Sequence, residues 1–99
     1  MKKFGGSDRW ILRYHPSVKR DMSVLDKVVR TRIQQAIELK ISLKPLLYGT
    51  PLRGFALPLL KVRVSDWRIV YTTTSPYIDI LCIGHRRNVY PRLRRRFGF

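Results

Sequence analysis

Acidic residues are what this sequence lacks most. Six Asp plus Glu stand against 21 Lys plus Arg in 99 residues, a formal net charge of +15. Self-repulsion on that scale opposes a compact state, so a polyanionic partner is the natural counterweight. Nucleic acid is the first candidate, an acidic protein the second, and an anionic membrane surface a distant third. Cysteine is nearly absent too. Cys82 stands alone and cannot close an internal disulfide, which fits a reducing cytosol. Its place inside an apolar, strand-like run marks it as a small buried hydrophobe rather than a reactive thiol. No apolar stretch approaches the ~20 residues needed to span a bilayer. None follows the basic Met1-Lys2-Lys3 start either, so no membrane span and no signal peptide is expected. Histidine occurs only at 15 and 85, and with Cys82 these do not make a metal-ligand set. No metal and no cofactor is expected.

What is present suits one small domain. At 44% hydrophobic and 11% aromatic the chain can bury a modest core, and its length leaves no room for a second one. Residues 1–8, with Gly5-Gly6-Ser7, read as a flexible lead-in. Arg9 to Tyr14 (RWILRY) reads as a strand. His15-Pro16-Ser17 breaks it, and Pro16 suits the first position of a short helix running to about Met22. Ser23-Val24-Leu25-Asp26 resembles a capping box. Beyond it Leu25, Val28, Val29, Ile33, Ala36, Ile37 and Ile41 recur at helical spacing as one apolar stripe.

Residues 44–54 hold Pro45, Gly49, Pro51 and Gly54 and read as a loop. The period then changes to two, with strands expected over 57–64, 67–73 and 77–83. Ser65-Asp66 forms a tight hairpin connection between the first two, and Thr74-Ser75-Pro76 turns the chain into the third. The order is β-α-α-β-β-β, an α+β fold with two N-terminal helices packed on a small curved antiparallel sheet. The basic tail over residues 91–99 is either a short helix after Pro91 or a mobile arm.

The chemistry concentrates in two segments. In Leu60-Lys61-Val62-Arg63-Val64, strand alternation puts Lys61 and Arg63 on one face and the valines on the other. Arg68, just past the hairpin, reaches the same basic face. Paired guanidinium donors and an ammonium suit phosphate, although a solvated outer sheet face carries the same residues. The second segment, Ile83-Gly84-His85-Arg86-Arg87-Asn88-Val89-Tyr90, adds an imidazole able to transfer protons, two guanidiniums and a ring able to stack on a base. A histidine at a strand end is also a common structural hydrogen-bonder.

Three stretches taken in order resemble the RelE branch of the RelE/ParE toxin superfamily. They are Gly49-Thr50-Pro51-Leu52-Arg53-Gly54, then Leu60 to Tyr71 (LKVRVSDWRIVY), then Ile80 to Tyr90 (ILCIGHRRNVY). The likeness spans residues 9–90 and includes both helices. It implies the toxin of a type II toxin–antitoxin system, an mRNA interferase that inhibits translation by cleaving mRNA without a metal, typically in the ribosome and against its rRNA. In that chemistry the ribose 2′-hydroxyl attacks the adjacent phosphate. It implies catalytic roles for Lys61, Arg68, Arg86 and Tyr90, with His85 as a candidate proton carrier. Arg63, Arg87, Arg92, Arg94 and Arg95 would bind RNA. The pattern is departed from at Leu59, where some relatives carry a lysine or glutamate, leaving no obvious carboxylate base. A cognate antitoxin is the expected protein partner, in a hetero-oligomer, with a cytoplasmic location. Two rival readings remain: a ParE-like inhibitor of DNA gyrase, and a non-catalytic nucleic-acid-binding module.

Overall fold

A computed structural model describes residues 9–98; the lead-in expected over residues 1–8 lies outside the described residues. Strand β1 covers Ile11–Tyr14, followed by helix α1 (Val18–Ser23) and helix α2 (Lys27–Ala36). A π-helical turn, Ile37–Ile41, prolongs α2 and leads into a four-residue helix α3 (Pro45–Tyr48). Strands β2 (Thr50–Pro51), β3 (Leu60–Val64), β4 (Trp67–Thr74) and β5 (Tyr77–His85) come next, and helix α4 (Val89–Phe97) closes the chain. The α+β class is as the sequence reads, and the hairpin at Ser65-Asp66 falls where expected.

The residues expected as a bare loop, 44–54, contain α3 and β2. Tyr71 explains why they order: its buried hydroxyl donates to Pro45 O at 2.6 Å, and burial pushes its ionisation up to about 12. A Cβ on Gly49 would run into that hydroxyl, so glycine is required there. The start of α2 also differs from the capping-box reading. Asp26 itself is the N-cap, accepting from Val29 N–H at 2.9 Å, while Ser23 belongs to α1 and donates to Arg20 O. The stripe on α2 is narrower than the sequence suggests. Ile33, Ala36, Ile37 and Ile41 are buried, but Val28 is 67% exposed, because it lies about 140° around the helix from Ile33.

The sheet order is β1-β5-β4-β3-β2, with β2 to β5 antiparallel and β1 parallel to β5. The sheet is therefore mixed. No hairpin ties β1 to a neighbour, so its direction is set by long-range pairing that local sequence does not encode. Along β4 and β5 the pairing shifts from Val70↔Cys82 to Tyr71↔Ile80, which leaves Leu81 as a bulged residue. The bulge lets Ile78, Ile80 and Ile83 all join the cluster formed with α1 and α2, while Cys82 faces the other way.

The second face is where expectation and structure part most. Instead of lying open, it carries its own apolar cluster of Leu59, Val70, Cys82, Val89 and Leu93. Val89 and Leu93 come from α4, so residues 91–97 are a packed helix rather than a loose arm. Val89, Leu93 and Phe97 recur every four residues, one apolar stripe among arginines. Cys82 is fully buried with its thiol pushed up to about 11, chiefly by burial, as its sequence context implied.

A buried carboxylate anchors α4. Strand β1 pairs with β5 only over residues 77–80, so the following stretch of β5 has a bare edge on that side. Asp21 of α1 serves it, accepting from Ile83 N–H at 3.0 Å. Arg96 grips the same carboxylate through Nη1 and Nη2 at 2.9 and 2.8 Å, and Arg92 reaches it at 3.3 Å. These guanidiniums also donate to Ile83 O and Leu81 O. Three side chains thus stand in for a missing strand. Gly84 permits the approach, since a Cβ there would sit 3.0 Å from Arg92 Nη1. Replacing Asp21 by Ala strands two partly buried guanidiniums and should cost about 3–5 kcal/mol of stability in urea unfolding. A loss under about 1 kcal/mol would mean that the clamp does not hold α4.

Candidate nucleic-acid interface

The expected site residues fall into two groups. Lys61 and Tyr90 line a cleft of about 540 Å³ together with Pro51, Leu52, Arg53, Phe55 and Arg94. Lys61 rises from β3, between Thr50 of β2 and Val70 of β4. Tyr90 and Arg94 descend from α4, one helical turn apart. The 52–59 loop forms the remaining wall, closed by Leu52 N–H on Leu59 O at 2.9 Å. Arg94 ties this loop to the helix: its Nη2 meets Gly54 O at 3.4 Å and its Cζ lies 4.3 Å from the centre of the Phe55 ring. Three cations and two aromatic rings line the cleft, and no carboxylate does. Such a concave surface concentrates positive potential and attracts anions.

Arg68, His85 and Arg86 gather instead around the β3–β4 turn. Ser65 takes a left-handed φ of 56° there, a conformation that favours glycine. Arg68 is only 8% exposed, and its Nη1 donates to both Ser65 O and Trp67 O at 2.9 Å. The guanidinium therefore braces a strained turn. Arg86 N–H donates to Asp66 O at 2.7 Å, and its Nε stands 3.8 Å from the Asp66 carboxylate. His85 lies edge-on to Trp67, and its Nδ1 accepts from Arg87 N–H at 3.2 Å. That bond leaves Nε2 to carry the proton of the neutral ring.

The other expected RNA contacts are dispersed. Arg63 shares strand alternation with Lys61 but lines a separate groove with Arg32 and Lys40. The reason is that β2 pairs only with Leu60 and Lys61, so β3 has an open edge beyond them. Arg87 and Arg95 are exposed. Arg92 does not line the cleft, and its Nη1 is committed to Asp21 and Ile83 O. Arg53 and Phe55 complete the cleft but were not among the expected residues. Their signal was a Gly54 flanked by an arginine and an aromatic, in a loop that carried part of the family likeness without a role for either side chain; Gly54 does adopt a left-handed φ of 84°.

Four of the acids are occupied in holding the fold. Asp21 clamps α4, Asp26 caps α2, Asp66 meets Arg86, and Asp79 pairs with Arg13 at 2.7 Å. Among the described residues no three His, Cys, Asp or Glu gather closely enough to hold a metal ion, and no helix is long and apolar enough to cross a membrane.

A small basic α+β domain with a cation-lined cleft between sheet and C-terminal helix is the class that this geometry defines. Within that class the fold is that of RelE toxins. A RelBE toxin–antitoxin complex from Mycobacterium tuberculosis matches with a TM-score of 0.71 at 22% identity, covering 79% of this chain and 99% of that one. A RelE–RelB complex from Pyrococcus horikoshii matches with a TM-score of 0.65 at 21% identity, over 78% of this chain and 94% of that one. A mutant of the Escherichia coli RelE toxin in the free state matches with a TM-score of 0.64 at 19% identity, over 90% and 98% respectively. No family model and no curated protein sequence matches the chain.

The turn-bracing role of Arg68 is measurable. Arg68→Ala should lower stability by about 1–3 kcal/mol, and Ser65→Gly in the same background should restore about 1 kcal/mol by relieving the left-handed strain. Unchanged unfolding of Arg68→Ala would show that its guanidinium is not needed by the turn.

Proposed function

We propose that this protein is the toxin of a toxin–antitoxin pair and acts on single-stranded RNA, cleaving mRNA at the ribosome. The observation that carries the reading is the cleft itself: Lys61, Arg53 and Arg94 with Tyr90 and Phe55, and no carboxylate, on a RelE fold. In the reaction the ribose 2′-oxygen bonds to the adjacent phosphorus while the bond to the 5′-oxygen breaks. A cyclic phosphate and a free 5′-hydroxyl result, the 2′-proton passing to a base and the leaving oxygen taking one up. Lys61 stabilises the charge that builds on the phosphorane, where a preorganised cation counts most. Tyr90 orients a neighbouring base by stacking. Arg86 and Arg87 are exposed near the hairpin end of the same sheet, where they extend the positive track for the strand beside a turn that Arg68 braces. His85, through Nε2, is the proton carrier nearest to them.

A second reading, binding without turnover, is favoured by one observation. No carboxylate and no histidine lines the cleft, so no group that is ordinarily basic at neutral pH stands next to Lys61. On this reading no cleavage occurs; a ribosome that supplies what the cleft lacks belongs to the first reading.

The protein partner is read from the opposite character of surface. Leu39, Leu43, Leu46 and Leu47 are each 60–68% exposed, within nine residues that also contain Lys40 and Lys44. Apolar exposure of this density marks an interaction surface. A second copy of a chain carrying +15 would be repelled, so an acidic amphipathic helix is the fitting occupant. An antitoxin segment of that kind is the partner proposed, in line with the RelB chains bound in the matching complexes.

Two experiments test these readings. In a cell-free translation extract the wild-type protein should produce discrete new 5′ ends in the messenger, and Lys61→Ala should reduce them about 100-fold or more. Induction in a host should arrest growth in parallel. An intact messenger with both proteins would sink the RNase reading; breaks in gyrase-bound DNA would then identify the gyrase alternative, and salt-dependent RNA binding alone the non-catalytic one. For the partner surface, a designed helical peptide with a leucine stripe and a glutamate-rich back is titrated against the protein by calorimetry. Leu43→Glu with Leu47→Glu should weaken its binding at least about 10-fold, roughly the lower bound of one buried leucine's worth of contact. Equal affinity for both proteins would remove the patch as the docking site.

A further inference from the structure

The cleft contains more than the proposed cleavage chemistry uses. Phe55 and Arg94 form a stack at its mouth, with the guanidinium carbon 4.3 Å from the ring centre. The stack is held from both sides. Phe55 packs at the edge of the second apolar cluster with Leu52, and Arg94 Nη2 also meets Gly54 O. Its two members come from different elements, the 52–59 loop and α4, so the platform exists only while α4 is docked. Arg53 precedes it on the loop, and Lys61 forms the floor beneath. A planar cation backed by an aromatic ring is a surface on which a nucleobase stacks, irrespective of its identity. Two further cations within the same cleft supply what a phosphate needs. The volume, about 540 Å³, lies in the range of pockets that enclose a small ligand, about 300–1,000 Å³.

We propose that the Phe55–Arg94 stack is a subsite for one unpaired nucleotide next to the one oriented by Tyr90, with its base on the guanidinium plane and its phosphate between Arg53 and Lys61. The inference deepens the RNA reading and rests on it. It assigns to Arg53, Phe55 and Arg94 the task of holding and spacing the strand, while Lys61 and Tyr90 serve the reacting nucleotide. A bound strand would make the loop, the sheet floor and α4 one continuous surface, so RNA binding and docking of α4 reinforce each other. Selectivity from such a site is for single strands over duplexes, since a paired base cannot leave its stack to enter.

The test uses binding alone. A pentanucleotide of 2′-O-methyl RNA lacks the attacking hydroxyl and cannot be cleaved by this chemistry. It and a set of variants, each with one abasic position, are titrated against the intact protein by fluorescence anisotropy. Two adjacent abasic positions, one at the Tyr90 base and one at the Phe55–Arg94 stack, should each weaken binding to the wild type about 5- to 100-fold. The second difference should vanish, and the first persist, in Phe55→Leu, which keeps an apolar side chain against Leu52, and in Arg94→Lys, which keeps the charge but loses the plane. Arg53→Gln should instead flatten the dependence on salt, by about 0.7 in log–log slope. Thermal unfolding of each variant checks that α4 remains docked. If abasic and intact strands bind wild type equally, or Phe55→Leu and Arg94→Lys discriminate as wild type does, charge alone explains binding and the subsite is overturned. Cleavage in the extract without abasic discrimination overturns the subsite only; discrimination without cleavage overturns the RNase reading and leaves the subsite in place.

Discussion

One buried carboxylate holds this fold's two halves together. Asp21 sits on α1 at 4% exposure, yet its partners are a β5 amide and two arginines of α4. A lone buried charge would be costly, and here four donors satisfy it. The arrangement solves two problems at once. It completes the backbone hydrogen bonding of a strand whose neighbour is too short, and it fastens a helix whose own composition repels itself. Without it only the apolar stripe of Val89, Leu93 and Phe97 would hold this segment of like charges on the sheet.

The consequences run to the cleft. Because α4 is fixed against Leu59, Val70 and Cys82, Tyr90 and Arg94 are presented over Lys61 rather than to open solvent. Arg94 then orders the facing loop through Gly54 and Phe55. The distribution of acids follows the same logic. Four of them, Asp21, Asp26, Asp66 and Asp79, act as a clamp, a cap and arginine partners, and no carboxylate lines the cleft. A strongly basic surface is thus combined with one buried anchor, Asp21, whose charge two arginines and a backbone amide satisfy.

Local sequence carried much of this. The change from helical to alternating period at residue 57 placed the sheet after the helices, and Ser65-Asp66 gave the hairpin. The ordered likeness from Gly49 to Tyr90 pointed to the RelE fold that the structural matches show, and it singled out Lys61 and Tyr90, which share the cleft. It was less informative for Arg68 and Arg92. Both are arginines in basic surroundings, and nothing in composition separates one that braces a turn or grips Asp21 from one that meets a phosphate. The helical stripe of Val89, Leu93 and Phe97 was there to be read, but six arginines between Arg86 and Arg96 obscured it.

By itself, then, the sequence determined what short-range physics controls: β1, the first two helices, the strands β3 to β5, the hairpin, the buried thiol and the excess of positive charge. Each follows from spacing and from side-chain preference within a few residues. Tertiary structure alone decided which cations are available. Asp21 meets Arg96 across 75 positions and Arg13 meets Asp79 across 66, distances at which pattern carries no signal. It also decided that β1 lies parallel to β5 and that the loop around Phe55 faces α4. The division has one physical cause. Backbone preference is local, whereas the partner of a charge is set by whatever the packed chain brings within about 3 Å.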